Sequence, residues 1–172
     1  MPTIKLISGG QSGVDRAVLD VALERGIAYG GWCPKGGWAE DFPEPPGVLT
    51  KYPFLRQTPL ADPARRTEWN VRDADACMIV IDDGGLLASR GAMLAQKLAE
   101  KYSKPLWIID LRQPDAVARA ATWLRTHLET NVGELRLAIG GPRESEAPGI
   151  HGRAMAVIRT LMLDIGGLPP RS

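Results

Sequence analysis

The first sixteen residues constrain the fold most, because a short apolar run breaks abruptly into a glycine-rich segment. Residues 3–7 are mostly strand formers, and the sequence SGGQSGVDR follows at residues 8–16. Beyond Gly13 the apolar residues recur at the spacing of a helix. The pattern predicts a strand, a turn and a helix, with Ser12 as the helix N-cap and Asp15 completing a capping box.

This turn has the properties of an anion-binding loop. The first N–H groups of a helix have no partner within the helix, and the helix dipole attracts negative charge to the same place. Gly9 and Gly10 let a ligand approach the backbone closely. We expect a phosphate group to bind here, with Arg16 pairing the phosphate and Asp15 contacting a hydroxyl or a base. In the alternative, Asp15 only favours the helix dipole and Arg16 is a solvated surface charge.

The rest of the chain alternates short β-like runs with helical patterns, which predicts a single α/β domain with a largely parallel sheet. Residues 77–81, CMIVI, are expected at the sheet centre, and residues 105–111 form another buried strand. The remaining predicted strands are 3–8, 27–32, 52–55 and 134–139, and the predicted helices are 12–25, 63–74, 88–101, 114–128 and 150–165. Asp62 is the predicted N-cap of the second helix, and Gly26 ends the first. The tail from 166 to 172 is expected to fray.

Composition narrows the classes of partner. The chain has 21 basic and 20 acidic side chains, so nothing predicts a surface for nucleic acid. No apolar run approaches the roughly 20 residues that span a bilayer, and the N-terminus does not resemble a signal peptide. Cys33 and Cys77 are far apart, which favours reduced thiols and a cytoplasmic location. Neither His127 nor His151 has metal-ligand spacing with a cysteine, so no metal site is expected.

Three glycine-containing loops follow predicted strands, after residues 7, 81 and 139. Because the carboxyl ends of parallel strands share one edge, we expect these loops to form a single ligand cleft. In the third loop, Arg143 is expected to clamp a phosphate, and Glu144 to act as a base or to bind the amide edge of a pterin-like or purine-like ring. The alternative for this loop is an ordinary surface pair of Arg143 and Glu144.

Two further segments carry candidate binding residues. The segment GGWCPKGGWAED, residues 30–41, predicts a ligand lid in which Trp32 or Trp38 stacks on a flat heterocycle while Lys35 holds an anion. The alternative is an aromatic anchor for a long loop. Asn70, on the helix before the predicted central strand, is expected to face the cleft, with an ordinary helix as the alternative.

Four segments together carry a family resemblance. SGGQSGVDRAVLD, GGWCPKGGWAED, RTEWNVRDADA and AIGGPRESEAPGI, in this order, closely resemble the molybdenum carrier family. That family is related to the molybdenum cofactor carrier proteins and, more distantly, to the lysine-decarboxylase-like cytokinin-activating proteins. The resemblance implies a Rossmann-like three-layer fold with a mostly parallel central sheet and homo-oligomers, either dimers or tetramers. It also implies binding of the molybdenum cofactor (molybdopterin) or of another phosphate-bearing, nucleotide-like ligand.

The resemblance also assigns residues. It gives the phosphate-binding turn as Gly9, Gly10, Gln11, Ser12 and Gly13, and the facing turn as Pro142, Arg143, Glu144 and Ser145. After the predicted central strand the family has a Gly-Gly-Thr-type turn, whereas this chain keeps Gly84 and Gly85 without the threonine. Arg90 and, shifted along the loop, Ser89 stand there instead. The PGGxGT-E pattern of the cytokinin-activating relatives is not found, which argues against their phosphoribohydrolase activity.

Three functions remain open from the sequence. The preferred one is a carrier that holds a phosphorylated pterin cofactor, because binding features converge whereas no set of acid, base and nucleophile does. The second is an enzyme acting on a nucleotide or an N-glycosidic compound, with Glu144 or Asp15 as the acid or base. The third is a nucleotide-sensing module whose output is a change of oligomer.

Overall fold

The structure is a computed structural model that describes residues 3–165, and it consists of a parallel sheet with helices on both faces. The elements in chain order are β1 (Thr3–Ile7), α1 (Val14–Arg25), β2 (Ala28–Gly30), β3 (Trp32–Cys33), β4 (Arg56–Gln57), α2 (Pro63–Asp73), β5 (Ala76–Ile81), α3 (Arg90–Lys101), β6 (Leu106–Asp110), α4 (Ala116–Thr130), β7 (Glu134–Gly140) and α5 (Ile150–Asp164). Among the described strands, β3 and β4 pair with each other and with no third strand.

The main sheet has five strands in the order β2-β1-β7-β5-β6, and every pair is parallel. β7, the last strand in the sequence, therefore lies in the middle of the sheet. α1, α4 and α5 pack together on one face, and α2 packs with α3 on the other. This arrangement confirms the predicted three-layer, Rossmann-like fold. It also brings the carboxyl ends of β1, β7 and β5 side by side, as the single-cleft prediction requires.

The core has two parts because neighbouring residues of a strand face opposite layers. Leu6 of β1 packs with the helices α1, α4 and α5, whereas the next residue, Ile7, packs with Val71 and Leu98 of the other layer. All six residues of β5 are buried, since helices cover the sheet on both faces. The strongly apolar sequence of β5 thus reflects its place inside the sheet.

Two predicted helix ends are confirmed and one is wrong. Asp62 caps α2 by accepting a hydrogen bond from the Ala64 N–H at 2.9 Å, and α1 ends at Gly26 in the left-handed conformation. The N-cap of α1, however, is Gly13 rather than Ser12, and no side chain caps it. The hydroxyl of Ser12 instead donates to Glu40, because a loop distant in sequence packs against this turn.

Two of the strand predictions fail where the backbone bends. The predicted strand at 27–32 breaks at Gly31, where the backbone has φ +128 and a Cβ atom would lie 2.3 Å from the Ser8 carbonyl oxygen. The strand predicted at 52–55 is wrong: Tyr52 is fully buried in a turn, and β4 begins only at Arg56.

Two strands also occupy places that the sequence did not predict. The middle position of the sheet, which was predicted for β5, belongs to β7, and β5 lies next to it. β6 was predicted as a buried strand, whereas it is an edge strand whose residues are mostly half-buried. The predicted fraying of 166–172 concerns residues outside those described. Among the helices of residues 3–165, none has the length and apolar character needed to cross a membrane.

Candidate ligand cleft

A cleft of about 200 Å³ lies at the carboxyl ends of β1 and β7 and beside Cys77, Met78 and Ile79 of β5, and residues of α2 and α3 form its sides. Its apolar lining comes from the strands, with Ile7, Ile79 and Ile139, and from the helices α2 and α3, with Val71 and Leu94. Its polar lining comes from the loops and helix starts: Ser8, Gln11, Asp15, Arg66, Asn70, Ser89, Arg90, Arg143 and Glu146. The strand order reverses here, which is where open α/β sheets bind ligands.

A buried ion pair forms one wall of this cleft. Arg66 Nη1 donates to Asp15 Oδ2 at 2.7 Å, and both side chains are almost completely buried. Burial raises the pKa of the Asp15 carboxyl, while the charge and hydrogen bond of Arg66 and the backbone N–H of Gln11 oppose this rise. Arg66 lies directly against the loop after β1, because a Cβ atom on Gly9 would be only 2.0 Å from Nη1. A glycine at position 9 therefore lets the guanidinium reach Asp15.

Two buried hydrogen-bond donors, on residues that line this cleft, have no partner within residues 3–165. They are Nε2 of Gln11 and Nε of Arg66, and both side chains are more than nine-tenths buried. The orientation of the Gln11 amide is fixed, since its Oε1 accepts hydrogen bonds from the N–H groups of Ser12 and Glu40 at 3.0 and 2.9 Å. An unsatisfied buried donor is costly, so these two atoms favour a ligand that supplies hydrogen-bond acceptors.

The start of α3 adds positive potential to the cleft. Ser89 is its N-cap and accepts a hydrogen bond from the Ala92 N–H at 3.1 Å, and residues 89–92 all line the cleft. The positive end of the helix dipole is therefore at the cleft wall. Across from it, one oxygen of Glu146 accepts the N–H of Arg143 at 2.9 Å. The cleft lining has three arginines, Arg66, Arg90 and Arg143, and two carboxylates, Asp15 and Glu146, so its positive side chains outnumber its negative ones.

The loop after β1 is closed against the loop after β7. The N–H of Val14 donates to the carbonyl of Pro142 at 3.2 Å, and the N–H of Glu144 donates to the Ser12 hydroxyl at 3.1 Å. Gly13 permits this contact, since a Cβ atom there would lie 2.3 Å from the Pro142 oxygen. The first N–H group of α1 is thus bonded within the protein.

A second, more open cavity lies beside these loops and is lined by residues including Ser12, Gly13, Arg16 and Glu144. Its charged groups are paired within the protein. Arg16 donates twice to Asp41 at 2.8 Å and also to the carbonyl of Gly10. Both carboxylate oxygens of Glu144 accept N–H groups at the start of α5, from Gly149 and His151. Glu144 thus caps α5, and Arg16 holds the loop shape.

The predicted site residues are distributed over several places. Those that line the cleft are Gly9, Gln11, Asp15, Asn70 and Arg143, and those that line the second cavity are Ser12, Gly13 and Glu144. Gly10 packs against Leu55 and Val48. Pro142 joins the loop after β7 to the loop after β1, and Ser145 hydrogen-bonds to Glu40. Lys35, Gly84 and Gly85 line neither cavity.

The predicted lid residues anchor the long loop. The indole N–H of Trp32 donates to Asp73 at 2.8 Å, and its ring meets Trp69 edge-on. Asn70 holds the same stretch, accepting the Trp32 N–H at 2.7 Å and donating to its carbonyl at 2.9 Å. The Arg143 guanidinium lies 5.6 Å from the centre of the Trp38 ring. Neither Trp32 nor Trp38 lines the two cavities, which supports the anchor alternative for Trp32.

Sequence reasoning missed Arg66, Glu146 and Glu40. A signal for Arg66 was available, because it precedes Asn70 by four residues and so shares the helix face that was expected to meet the cleft. No comparable signal marks Glu146 or Glu40, whose contacts connect loops distant in sequence. Among residues 3–165, no group of three or more His, Cys, Asp or Glu side chains is arranged to hold a metal ion.

Comparison with known proteins agrees with this architecture. Residues 6–162 match the circularly permutated YpsA SLOG family. The crystal structure named "Putative molybdenum carrier protein", from Syntrophus aciditrophicus SB, shares 36% sequence identity with this chain. The alignment covers 93% of this chain and 95% of that one, with a TM-score of 0.76. No match is found among the curated proteins.

The strand order displays the permutation. A Rossmann-type sheet of five strands has the order 3-2-1-4-5. If the strands of the main sheet are counted from β7, so that β7, β1, β2, β5 and β6 become strands 1 to 5, the order β2-β1-β7-β5-β6 is the same. The fold thus places the protein in the Rossmann-like α/β class. Within that class it belongs to the circularly permutated YpsA SLOG family, and its similarity to the solved molybdenum carrier protein confirms the resemblance inferred from the sequence.

Proposed function

We propose that the protein binds a small phosphorylated ligand in the cleft and acts as a carrier of the molybdenum cofactor, molybdopterin. The observation that carries the proposal is the pair of buried donors without partners, Gln11 Nε2 and Arg66 Nε. Leaving such a donor unsatisfied costs about 1–3 kcal/mol, and a phosphate oxygen would remove that cost. The molybdenum carrier named above, at 36% identity, supports the choice of cargo.

The cleft fits the two halves of such a ligand. Its arginines and the start of α3 suit a phosphate, and its apolar strand residues, such as Ile79 and Ile139, suit a flat ring. The metal is cargo in this proposal and would arrive held by the sulfur atoms of the pterin. The residues that would hold the ligand are Gln11, Arg66, Arg90 and Arg143.

Asp15 keeps the enzymatic alternative open. It is a buried carboxyl with a raised pKa at the cleft wall, which is the property of a candidate acid or base. Glu144, the other candidate, is occupied with capping α5. The enzymatic alternative therefore requires turnover of a nucleotide or N-glycoside that Asp15→Asn abolishes.

The first test measures binding of inorganic phosphate by calorimetry to the wild type and to Arg66→Lys. Lysine keeps a positive charge beside Asp15 but removes Nε, so we expect about tenfold weaker binding. Arg159→Lys is the matched control, because Arg159 pairs with Glu24 on the surface and lines neither cavity. Equal affinity in Arg66→Lys and the wild type would contradict the assignment of Arg66.

The identity of the cargo needs a separate experiment. Protein purified under anaerobic conditions is examined by native and then denaturing mass spectrometry. A retained mass of molybdopterin that is lost in Arg143→Ala supports the carrier proposal, since Arg143 lines the cleft. A retained nucleotide instead supports the enzyme or sensor alternative.

Two further expectations go with the proposal. Self-association into a dimer or tetramer stays a prediction. A cytoplasmic location likewise stays a prediction.

A further inference from the structure

The segment from 38 to 41, WAED, belongs to a motif that the proposed site does not use. It lies in the long loop between β3 and β4, and none of its residues lines the cleft. It nevertheless contacts both loops that form the cleft. Asp41 pairs with Arg16, and the Glu40 carboxylate accepts hydrogen bonds from Ser12 and from Ser145, which are far apart in the sequence.

The backbone of Glu40 fixes the amide of Gln11. The Glu40 N–H donates to Gln11 Oε1 at 2.9 Å, and the Ser12 N–H donates to the same oxygen at 3.0 Å. Two donors on one oxygen allow only one orientation of the amide, since the flipped form would place NH₂ against both N–H groups. The NH₂ group of Gln11 is therefore held at the buried position where it has no protein partner within residues 3–165.

The carboxylate of Glu40 joins the two cleft loops. It accepts hydrogen bonds from the Ser12 hydroxyl in the loop after β1, and from the N–H of Ser145 at 3.2 Å in the loop after β7. The Ser145 hydroxyl donates to its second oxygen at 2.6 Å. Ser12 in turn accepts the N–H of Glu144, so one carboxylate organises both loops.

The charge state of Glu40 suits this role. Burial raises the pKa of its carboxyl, but hydrogen bonds from Ser12 and Ser145 outweigh burial and hold the pKa below its ordinary value of 4.5. The carboxylate is therefore ionised at neutral pH and is a strong acceptor for three donors.

We propose that Glu40 is a positioning residue for ligand binding: it sets the Gln11 amide and the spacing of the two cleft loops without touching the ligand. This inference rests on the proposed phosphate-binding function. It gives the 30–41 motif a role different from that of a lid, because its acidic end acts on the loops from outside the cleft.

The experiment compares Glu40→Ala with the wild type by calorimetric titration of inorganic phosphate and by NMR of the Gln11 side-chain amide. Glu40→Ala keeps the backbone N–H that donates to Gln11 but removes the carboxylate that holds residue 40 against Ser12 and Ser145. We therefore expect this N–H to move away from Gln11 and phosphate to bind about tenfold more weakly. We also expect the Gln11 amide signal of the free protein to shift and to exchange faster with solvent. Glu40→Gln retains one acceptor oxygen and should recover part of both effects.

The matched control is Glu44→Ala, because Glu44 is an exposed carboxylate of the same loop and lines neither cavity. It should leave affinity and the amide signal unchanged. An unaltered Gln11 signal in Glu40→Ala overturns the positioning role. Failure of the wild type to bind phosphate overturns the proposed function, and the Gln11 signal then still decides on Glu40. If Glu40→Ala does not fold, Glu40→Gln takes its place in the same comparison.

Discussion

At the residue scale, the ion pair of Asp15 and Arg66 sets how strongly the cleft attracts anions. The Asp15 carboxylate lies 2.7 Å from Arg66 Nη1 and has the same sign of charge as a phosphate. It therefore opposes an anionic ligand and occupies one donor of the arginine. Arg66 can still offer Nε, which is buried and has no partner within the described part of the chain.

We expect Asp15→Asn to bind phosphate more tightly, on the order of tenfold, because the competing negative charge is removed while an acceptor oxygen remains for Arg66. Calorimetric titration of phosphate into the variant and the wild type measures this. A control is Asp73→Asn, whose carboxylate pairs with Arg72 and Trp32 outside the cleft lining. Weaker binding in Asp15→Asn would mean that the carboxylate chiefly orients Arg66.

At the scale of elements, Asp20 joins parts of the chain that are distant in sequence. This residue of α1 accepts hydrogen bonds from Lys51 Nζ at 2.9 Å and from the hydroxyl of Tyr52. Its Oδ2 lies 2.8 Å from Nε2 of His151 in α5. Burial raises its pKa, but the bonds from Tyr52, Lys51 and His151 outweigh burial and hold the pKa below 3.8. Burial and Asp20 together raise the pKa of Tyr52, which therefore stays a donor.

This arrangement predicts a pH-dependent contribution to stability. A carboxyl whose pKa is lowered by folding stabilises the fold fully above its unfolded value of 3.8, and the contribution is lost as the pH falls through the folded pKa. We expect Asp20→Asn to lower the free energy of unfolding by about 2 kcal/mol at pH 7. The difference from the wild type should shrink below pH 3.8, as measured by urea unfolding across pH.

Asp115→Asn serves as the comparison for that experiment, since Asp115 is exposed and its side chain does not cap α4. Its unfolding free energy should follow that of the wild type at each pH. A difference for Asp20→Asn that does not change between pH 7 and pH 3 would contradict the electrostatic explanation.

At the scale of the whole molecule, the permuted order makes β7 the central strand although it is the last in the chain. β7 pairs with β1 and β5, and α5, which follows β7, packs against α1. β1, β5 and β7 all border the cleft, and opening the chain away from it leaves these strands in place. The fold and the cleft should therefore tolerate chain ends that lie away from the cleft.

We expect a variant that begins at Val132, with the two original ends joined by a flexible linker, to fold and to bind phosphate within about threefold of the wild type. Val132 is almost completely exposed, so opening the chain there removes no packing. Circular dichroism, thermal unfolding and calorimetry measure the outcome. A variant opened between Gly84 and Gly85 is the control, because it cuts the connection to α3 beside the cleft and should weaken binding. Loss of folding on opening at Val132 would contradict this prediction.

The sequence by itself determined much of the local structure. The change from β-like to helical spacing at Gly13 located β1 and α1, and the Asp62–Pro63 pair located the start of α2. The apolar run of β5 showed that it is buried on both faces. These signals succeed because hydrophobic periodicity and helix caps are properties of adjacent residues. The meeting of the loops after β1 and β7 followed from the parallel sheet alone, whereas the glycines of the loop after β5, Gly84 and Gly85, line neither cavity.

Only the tertiary structure decided which side chains meet at the cleft. Arg66 reaches Asp15 across 51 residues, and Ser145 reaches Glu40 across 105, so neither contact leaves a mark in local spacing. Glu144 caps α5, a contact with Gly149 and His151 that its own position in the sequence did not indicate. The position of β7 within the sheet could not be predicted from the sequence either, since strand order depends on long-range pairing. In this chain the last of the described strands lies in the middle of the sheet, between β1 and β5.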